Sequence, residues 1–321
     1  MRILPILASL ALLCGPALAQ APSYPTKPVK LVVGFAPGGA ADYVARTLSD
    51  VLGRSLGQPI VIENRAGAGS SIAAELVSRA APDGYTVLIA SPSSILVNPV
   101  LNPKLGYTLS DLTPISKITS SPLVIAVNPG TGIDSVQELI ARAKRAPGTL
   151  NYASAGNGSA PHLGGALFSQ VAGVQMVNVP FRGGGPAIQS VVAGDTHLTF
   201  GTPPSVLPMI AAGRLRGLAV TVRERTPLVP DLPGMAEAGL PEYGIEFWYG
   251  LFVPAGTPQA IVTKLFEAAS LAMQQPQVKA ALAREGTETS LSASPEQFAA
   301  FLAEDAKFWT RLVKDAGVKL E

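Results

Sequence analysis

Val29-Lys30-Leu31-Val32-Val33-Gly34-Phe35-Ala36-Pro37-Gly38-Gly39-Ala40-Ala41-Asp42 decides the fold. Val29 to Phe35 reads as a buried strand, and Pro37-Gly38-Gly39 breaks it. From Ala41 onward Val44, Leu48, Val51, Leu52 and Leu56 recur at helical spacing, and Gly57 stops the run. The next segments repeat the alternation. Ile60-Val61-Ile62 is a strand, Gly67-Ala68-Gly69-Ser70 leads into a helix bearing Ile72, Leu76 and Val77, and Val87 to Ala90 is a third strand. Strands alternating with helices predict a parallel sheet with right-handed crossovers, so the expected class is α/β. Open sheets of this kind bind ligands at the edge where the strands end.

The alternation then restarts. Leu123 to Val127, Leu150 to Ala153, Val174 to Val179, Leu198 to Phe200 and Leu218 to Thr221 are the expected strands of a second unit. Helices are expected over Asp134 to Lys144, from Ala160 with Ser159 as N-cap, and after Gly183-Gly184-Gly185-Pro186. The last third turns helical after a strand at Phe247 to Val253. Thr257-Pro258 starts one helix, and the capping box Ser294-Pro295-Glu296-Gln297 starts a long one. The expectation is two lobes joined by a two-strand hinge, with lobe 1 formed by residues 20–121 plus 245–321 and lobe 2 by 122–244.

The chain has 321 residues, enough for two cores, with 47% hydrophobic and 14% charged residues, a balance that excludes a disordered chain. Met1-Arg2, the apolar run Ile3 to Leu13 and Ala17-Leu18-Ala19 form a signal peptide, expected over 1–19 and cleaved after Ala19. Leu13 is large where a lipid-attachment site has small residues, so cleavage after Ala19, which leaves the mature chain without cysteine, is favoured over a lipid anchor at Cys14, the open alternative. Loss of Arg2 lowers the net charge from +2 to +1. No basic run points to nucleic acid, and no later apolar run is long enough for a membrane span. Two histidines and no mature cysteine argue against a metal site, and no Gly-x-Ser-x-Gly elbow appears, so neither catalysis nor a cofactor is expected.

Candidate contacts cluster at three glycine-rich turns between strand and helix. These are Phe35-Ala36-Pro37-Gly38-Gly39-Ala40-Ala41-Asp42, Ser154-Ala155-Gly156-Asn157-Gly158-Ser159, and Arg182-Gly183-Gly184. Each offers unpaired amides at a helix start, a ready anion site that needs no cation, and glycine lets a ligand approach the backbone. Ser91 and Ser93 follow the third strand at the same sheet edge. Asp42 either caps its helix, or orients the loop or meets an ammonium or hydroxyl on the ligand. His162 falls in the first turn of its helix, where ligand contact and a structural role are both open. His197 is read as structural. Arg182 is the best-placed cation, and Phe35 and Trp248 are candidates for an apolar wall.

The motifs Pro25-x-Lys-Pro-Val-Lys-Leu-Val-Val-Gly-Phe-Ala-Pro-Gly-Gly with Asp42 and Arg46, Glu63-Asn64-Arg65-Ala66-Gly67-Ala68-Gly69, Pro82-Asp83-Gly84-Tyr85-Thr86, Tyr152-Ala-Ser-Ala-Gly-Asn-Gly-Ser, Phe181-Arg182-Gly183-Gly184 and Val253-Pro-Ala-Gly-Thr-Pro span the mature chain. Together they resemble the substrate-binding receptors of tripartite tricarboxylate transporters, the Bug family. The resemblance implies a type II periplasmic-binding-protein fold and a small organic mono- or dicarboxylate, aromatic and amino acids included. It also implies a binding site built from loops Ala36 to Asp42 and Ser154 to Ser159, and a monomer serving a membrane permease. Phe181 stands where many relatives carry Tyr, and Gly201-Thr202-Pro203 where many carry an Asp-Asn pair, so Thr202 joins the candidate contacts and the ligand class is open. Rival readings are a receptor for a sensor kinase and an exported hydrolase.

Overall fold

The computed structural model describes residues 24–315. The expected leader, its cleavage point and Cys14 lie outside the described residues. The first lobe opens with β1 (Val29–Val33), α1 (Ala40–Leu56), β2 (Ile60–Asn64), α2 (Ser71–Ser78) and β3 (Thr86–Ala90). A π-helical turn over Ser93–Val97 runs into the short α3 (Asn98–Leu101), and β4 (Leu112–Pro122) then leaves the lobe. The second lobe contains β5 (Val124–Val127), α4 (Val136–Arg145), β6 (Asn151–Ser154), α5 (Ala160–Ala172) and β7 (Val177–Pro180). It continues with α6 (Gly184–Ala193), β8 (Leu198–Gly201), α7 (Pro203–Ala211) and β9 (Arg216–Val220). The chain returns along β10 (Glu246–Pro254) into α8 (Gln259–Gln274), α9 (Pro276–Arg284), β11 (Glu288–Thr289) and α10 (Pro295–Asp315).

The first sheet has the order β11-β4-β10-β3-β1-β2, and the second β7-β6-β8-β5-β9. β1 pairs in parallel with both β2 and β3, as the opening alternation requires, and β6 pairs in parallel with β7 and β8. β4 and β10 are antiparallel, with Glu246 opposite Pro122. The two strands that cross between the lobes are therefore bonded to each other, which confines relative motion to few residues.

The elements form where sequence and packing agree. In α1 the stripe Val44, Leu48, Leu52 and Leu56 is buried, and each such side chain contributes about 1.5–3 kcal/mol. Gly57 ends the helix at φ 74°, and its amide donates to the Gly53 carbonyl, a left-handed cap that suits glycine. At α10 the Gln297 amide donates to Ser294 Oγ (3.2 Å), while the Gln297 side chain accepts from the Ala293 amide, one residue earlier than a standard capping box. A continuous apolar cluster joins Trp309 and Phe298 of α10, Phe247 of β10, and Phe168 and Phe200 of the second lobe. Phe168 lies 5.7 Å from Tyr243 and 5.4 Å from Phe200, centroid to centroid. The hinge side of the molecule is thus packed, and the opposite ends of the strands face each other across a cleft.

Candidate functional site

Between the lobes lies a small cavity of about 30 Å³. Four helices begin at its wall: α1 through Ala40 and Ala41, α5 through Ser159, Ala160 and Pro161, α6 through Gly184, and α7 through Thr202 and Ser205. The first amides of a helix have no partner within it, and the helix dipole places positive potential there. Helix starts from both lobes therefore aim at one space. Phe35, Ala187, Ile188, Phe247 and Tyr249 give the wall its apolar part. Among the described residues no Asp, Glu, Lys, Arg or His lines the cavity.

Six hydroxyl residues line it: Ser91, Ser159, Thr199, Thr202, Ser205 and Tyr249. Thr199 Oγ1 donates to the Ala153 carbonyl (2.9 Å), and the Thr202 and Ser205 hydroxyls bond each other (3.1 Å). Ser91 Oγ and Ser159 Oγ are different. Each residue is 1% exposed, and neither oxygen has a hydrogen-bond partner. Ser159 is the N-cap of α5 as expected, yet its side chain makes no capping bond. A buried hydroxyl without a partner forfeits about 1–3 kcal/mol, so two in one cavity point to a partner supplied by a guest.

The loops around the cavity are held by residues that do not reach it. Asp42 is 3% exposed. It accepts from the Gly38 amide (3.0 Å), Arg46 Nε (2.8 Å) and Asn64 Nδ2 (3.0 Å). Burial pushes its carboxyl pKa up, but these donors outweigh burial and hold it below the usual value. Asp42 therefore fixes the Ala36 to Gly39 turn. His162 does the same for the second turn: its Nδ1 accepts from the Gly158 amide (2.9 Å). Burial pushes the imidazole down to about 4, so it is neutral at pH 7 with its proton on Nε2. His197 bonds Asn151 away from the cavity.

Backbone meets backbone where the lobes touch. A methyl built on Gly183 would lie 3.1 Å from Ala36, and one on Gly39 would lie 3.8 Å from the Gly184 amide nitrogen. Gly69 and Gly158 are tighter still. Their methyls would collide with the Asn157 carbonyl and with Asn98 Oδ1, each on the facing lobe. Asn98 Nδ2 donates to the carbonyls of Ala68 and Gly69 and to Ser71 Oγ, which braces the 67–70 turn for that contact.

Of the residues singled out from the sequence, Phe35, Ala40, Ala41, Ser91, Ser159, Gly184 and Thr202 line the cavity. Ala36, Pro37, Gly38, Gly39, Asp42, Gly156, Asn157, Gly158, His162 and Gly183 sit behind it in the turns and the interlobe contact. Ser93 and Ser154 are fully buried behind the wall, and Arg182 is exposed outside it. Trp248 points away, donating from Nε1 to Asp305 Oδ2 (2.7 Å), while its neighbours Phe247 and Tyr249 face the cavity. The sequence reading missed those two, along with Ala160, Pro161, Ala187, Ile188, Thr199, Gly201 and Ser205. Strand alternation was the available signal for Phe247 and Tyr249.

Among the described residues no cluster of three His, Cys, Asp or Glu is placed to hold a metal, and no helix is long and apolar enough to cross a membrane. Residues 44–318 match the model of the tripartite tricarboxylate transporter family receptor. Protein BugT of Bordetella pertussis is 37% identical over 307 residues, covering 95% of this chain and 94% of its own. An R. palustris protein solved with adipate is 34% identical with a TM-score of 0.88, covering 92% of this chain and 99% of its own. MatC from Rhodopseudomonas palustris, solved with bound malate, is 34% identical with a TM-score of 0.85, covering 90% of this chain and 100% of its own. The architecture is the type II periplasmic-binding-protein fold, with two α/β lobes on a two-strand hinge. The chain belongs to the tripartite tricarboxylate transporter receptor family, whose members bind solutes and are not enzymes.

Proposed function

We propose that the protein is an exported receptor that closes on a small organic carboxylate and presents it to the membrane permease of a tripartite tricarboxylate-type transporter. The observation that carries this reading is the convergence of helix starts and two partnerless buried hydroxyls, from both lobes, on a cavity without charged side chains. A carboxylate suits such a site: it brings acceptors only, and fixed amide dipoles stabilise its charge without a counter-ion. Solved relatives hold adipate and malate, which supports the class. We place the lobe boundaries at residues 121–122 and 244–245, beside the paired ends of β4 and β10. The leader is cleaved after Ala19, and the mature chain acts as a periplasmic monomer.

The test is a thermal-shift screen of the mature chain with small carboxylates and their neutral amides, followed by uptake in vesicles carrying candidate permeases. A Tm rise with carboxylates but not amides is expected, and uptake should require the receptor. Equal shifts by the amides, or no shift by any carboxylate, would refute the binding reading. Binding without uptake, but with capture by a sensor-kinase ectodomain, would replace transport by signalling.

A further inference from the structure

A second recess, of about 330 Å³, lies behind the hinge. β10 separates it from the binding cavity: Phe247 and Tyr249 line the cavity, while their alternates Glu246 and Trp248 line the recess. Its walls come from both lobes. The first lobe supplies Phe301 and Phe308 of α10, the second supplies Val222 and Arg223 just after β9, and Gly244 stands at the edge between them. The other groups on the first-lobe side are already engaged. The Lys117 ammonium lies 5.0 Å from the centre of the Phe301 ring, and Asp305 accepts from two indoles. Phe308 is different. One edge of its ring meets Trp309 (5.2 Å between centroids), yet the residue is 44% exposed and borders the recess.

Two bodies that pivot on a pair of strands exchange space across it: as the cleft in front opens, the recess behind narrows. With the lobes in contact, as here, Phe308 stands uncovered. Opening carries Val222 and the carbon stem of Arg223 toward it, so apolar surface that faces water in the closed receptor is buried in the open one. We propose that Phe308 and Val222 form a back stop that favours the open receptor in the absence of solute. The role is positional, since neither residue lines the binding cavity. A receptor that spends only part of its time closed binds its guest more weakly by that fraction, so the stop lowers affinity and eases release without touching the guest. It works whatever the guest is.

Small-angle scattering and hydrogen exchange on the ligand-free mature chain test this without any solute. The parent should scatter with a larger radius of gyration than the closed structure has. Phe308→Ser removes the apolar stop, and Gly244→Trp places an indole in the recess, where a side chain at 244 meets open space. Each variant should bring the radius closer to the closed value and slow amide exchange in the cleft turns, residues 36–41 and 183–188, by about threefold. Phe308→Leu keeps an apolar contact and should fall between Phe308→Ser and the parent. Leu271→Ser removes a 51% exposed apolar side chain of α8, away from the recess, and should change neither readout. Parental radius and exchange in folded Phe308→Ser and Gly244→Trp proteins would overturn the proposal. So would an equal response to Leu271→Ser, or a ligand-free parent already as compact as the closed structure. Should Gly244→Trp fail to fold, Val222→Ser removes the other face of the stop and makes the same test.

Discussion

Replacing Gly39 by alanine and by valine separates lobe closure from lobe stability. Gly39 is the N-cap of α1 at φ −89° and ψ 172°, an extended conformation open to any residue. A methyl there lies 3.6 Å from the Ala36 carbonyl oxygen and 3.8 Å from the Gly184 nitrogen, ordinary contact distances. Gly39→Ala should therefore leave affinity within about threefold of the parent. Valine adds two carbons, each about 1.5 Å beyond that methyl, with the facing lobe's backbone at Gly184 in the way. Overpacking of this kind costs about 1–3 kcal/mol, or roughly a 5- to 150-fold loss of affinity, and it acts only when the lobes meet. The ligand-free protein can hold its lobes apart. It loses only the preference of an N-cap for glycine over a branched residue, about 1 kcal/mol, which moves Tm by roughly 2–4 °C. Titration and ligand-free melting on both variants decide the matter. If valine lowers Tm in proportion to affinity, Gly39 is a turn residue and nothing more. If valine binds like the parent, Gly39 and Gly184 do not meet in the bound state.

The same structure makes three further predictions. Ser159→Ala and Ser91→Ala each remove a buried oxygen that has no protein partner, so ligand-free stability should hold or rise slightly while carboxylate affinity falls about tenfold; unchanged titration would remove these hydroxyls from the site. His162 titrates near 4 when folded against 6.5 unfolded, so above pH 6.5 it contributes nothing. As pH falls from 6.5 to 4 the unfolded chain takes up a proton that the folded chain refuses, and stability falls by up to about 3 kcal/mol. In His162→Gln that part of the acid loss in urea midpoint should vanish, and an unaltered pH slope would contradict the neutral, buried imidazole. Asp305 Oδ2 accepts from the indoles of Trp248 (2.7 Å) and Trp309 (2.8 Å), so Asp305→Ala strands two N–H groups and should cost about 2–5 kcal/mol in urea unfolding with a shift in tryptophan emission. A loss below 1 kcal/mol would show that water reaches both indoles.

Much of the fold was legible because local signals agreed with packing. The β1 run, the stripe of α1 and the glycine at 57 each point to one structure, and the parallel pairing follows from them. β4 gave no such signal. Thr113, Ser116, Lys117, Thr119, Ser120 and Ser121 interrupt its alternation, and Pro114 argues against a strand. It is a strand because β10 pairs along its length, a partner far away in sequence. α7 was hidden by Pro203, Pro204 and Pro208, although the first two occupy the one turn where a missing N–H does no harm. The site was legible to the level of the turn and no further. Glycines mark where a helix starts, but the rotational phase of that start decides which atoms face the ligand, and here the wall takes Ala40 and Ala41 while Gly38 and Gly39 stand behind. Phe247-Trp248-Tyr249 poses the same problem with period two: three aromatic residues in a row do not reveal which face is which. Asp305, an acceptor for indole on the α10 side, draws Trp248 there, while Tyr249 lines the cavity and Phe247 lines it with its ring also packed on Trp309 of α10. Specificity in this receptor is therefore decided by the hinge strand as much as by the glycine turns, because β10 both joins the lobes and supplies part of the apolar wall.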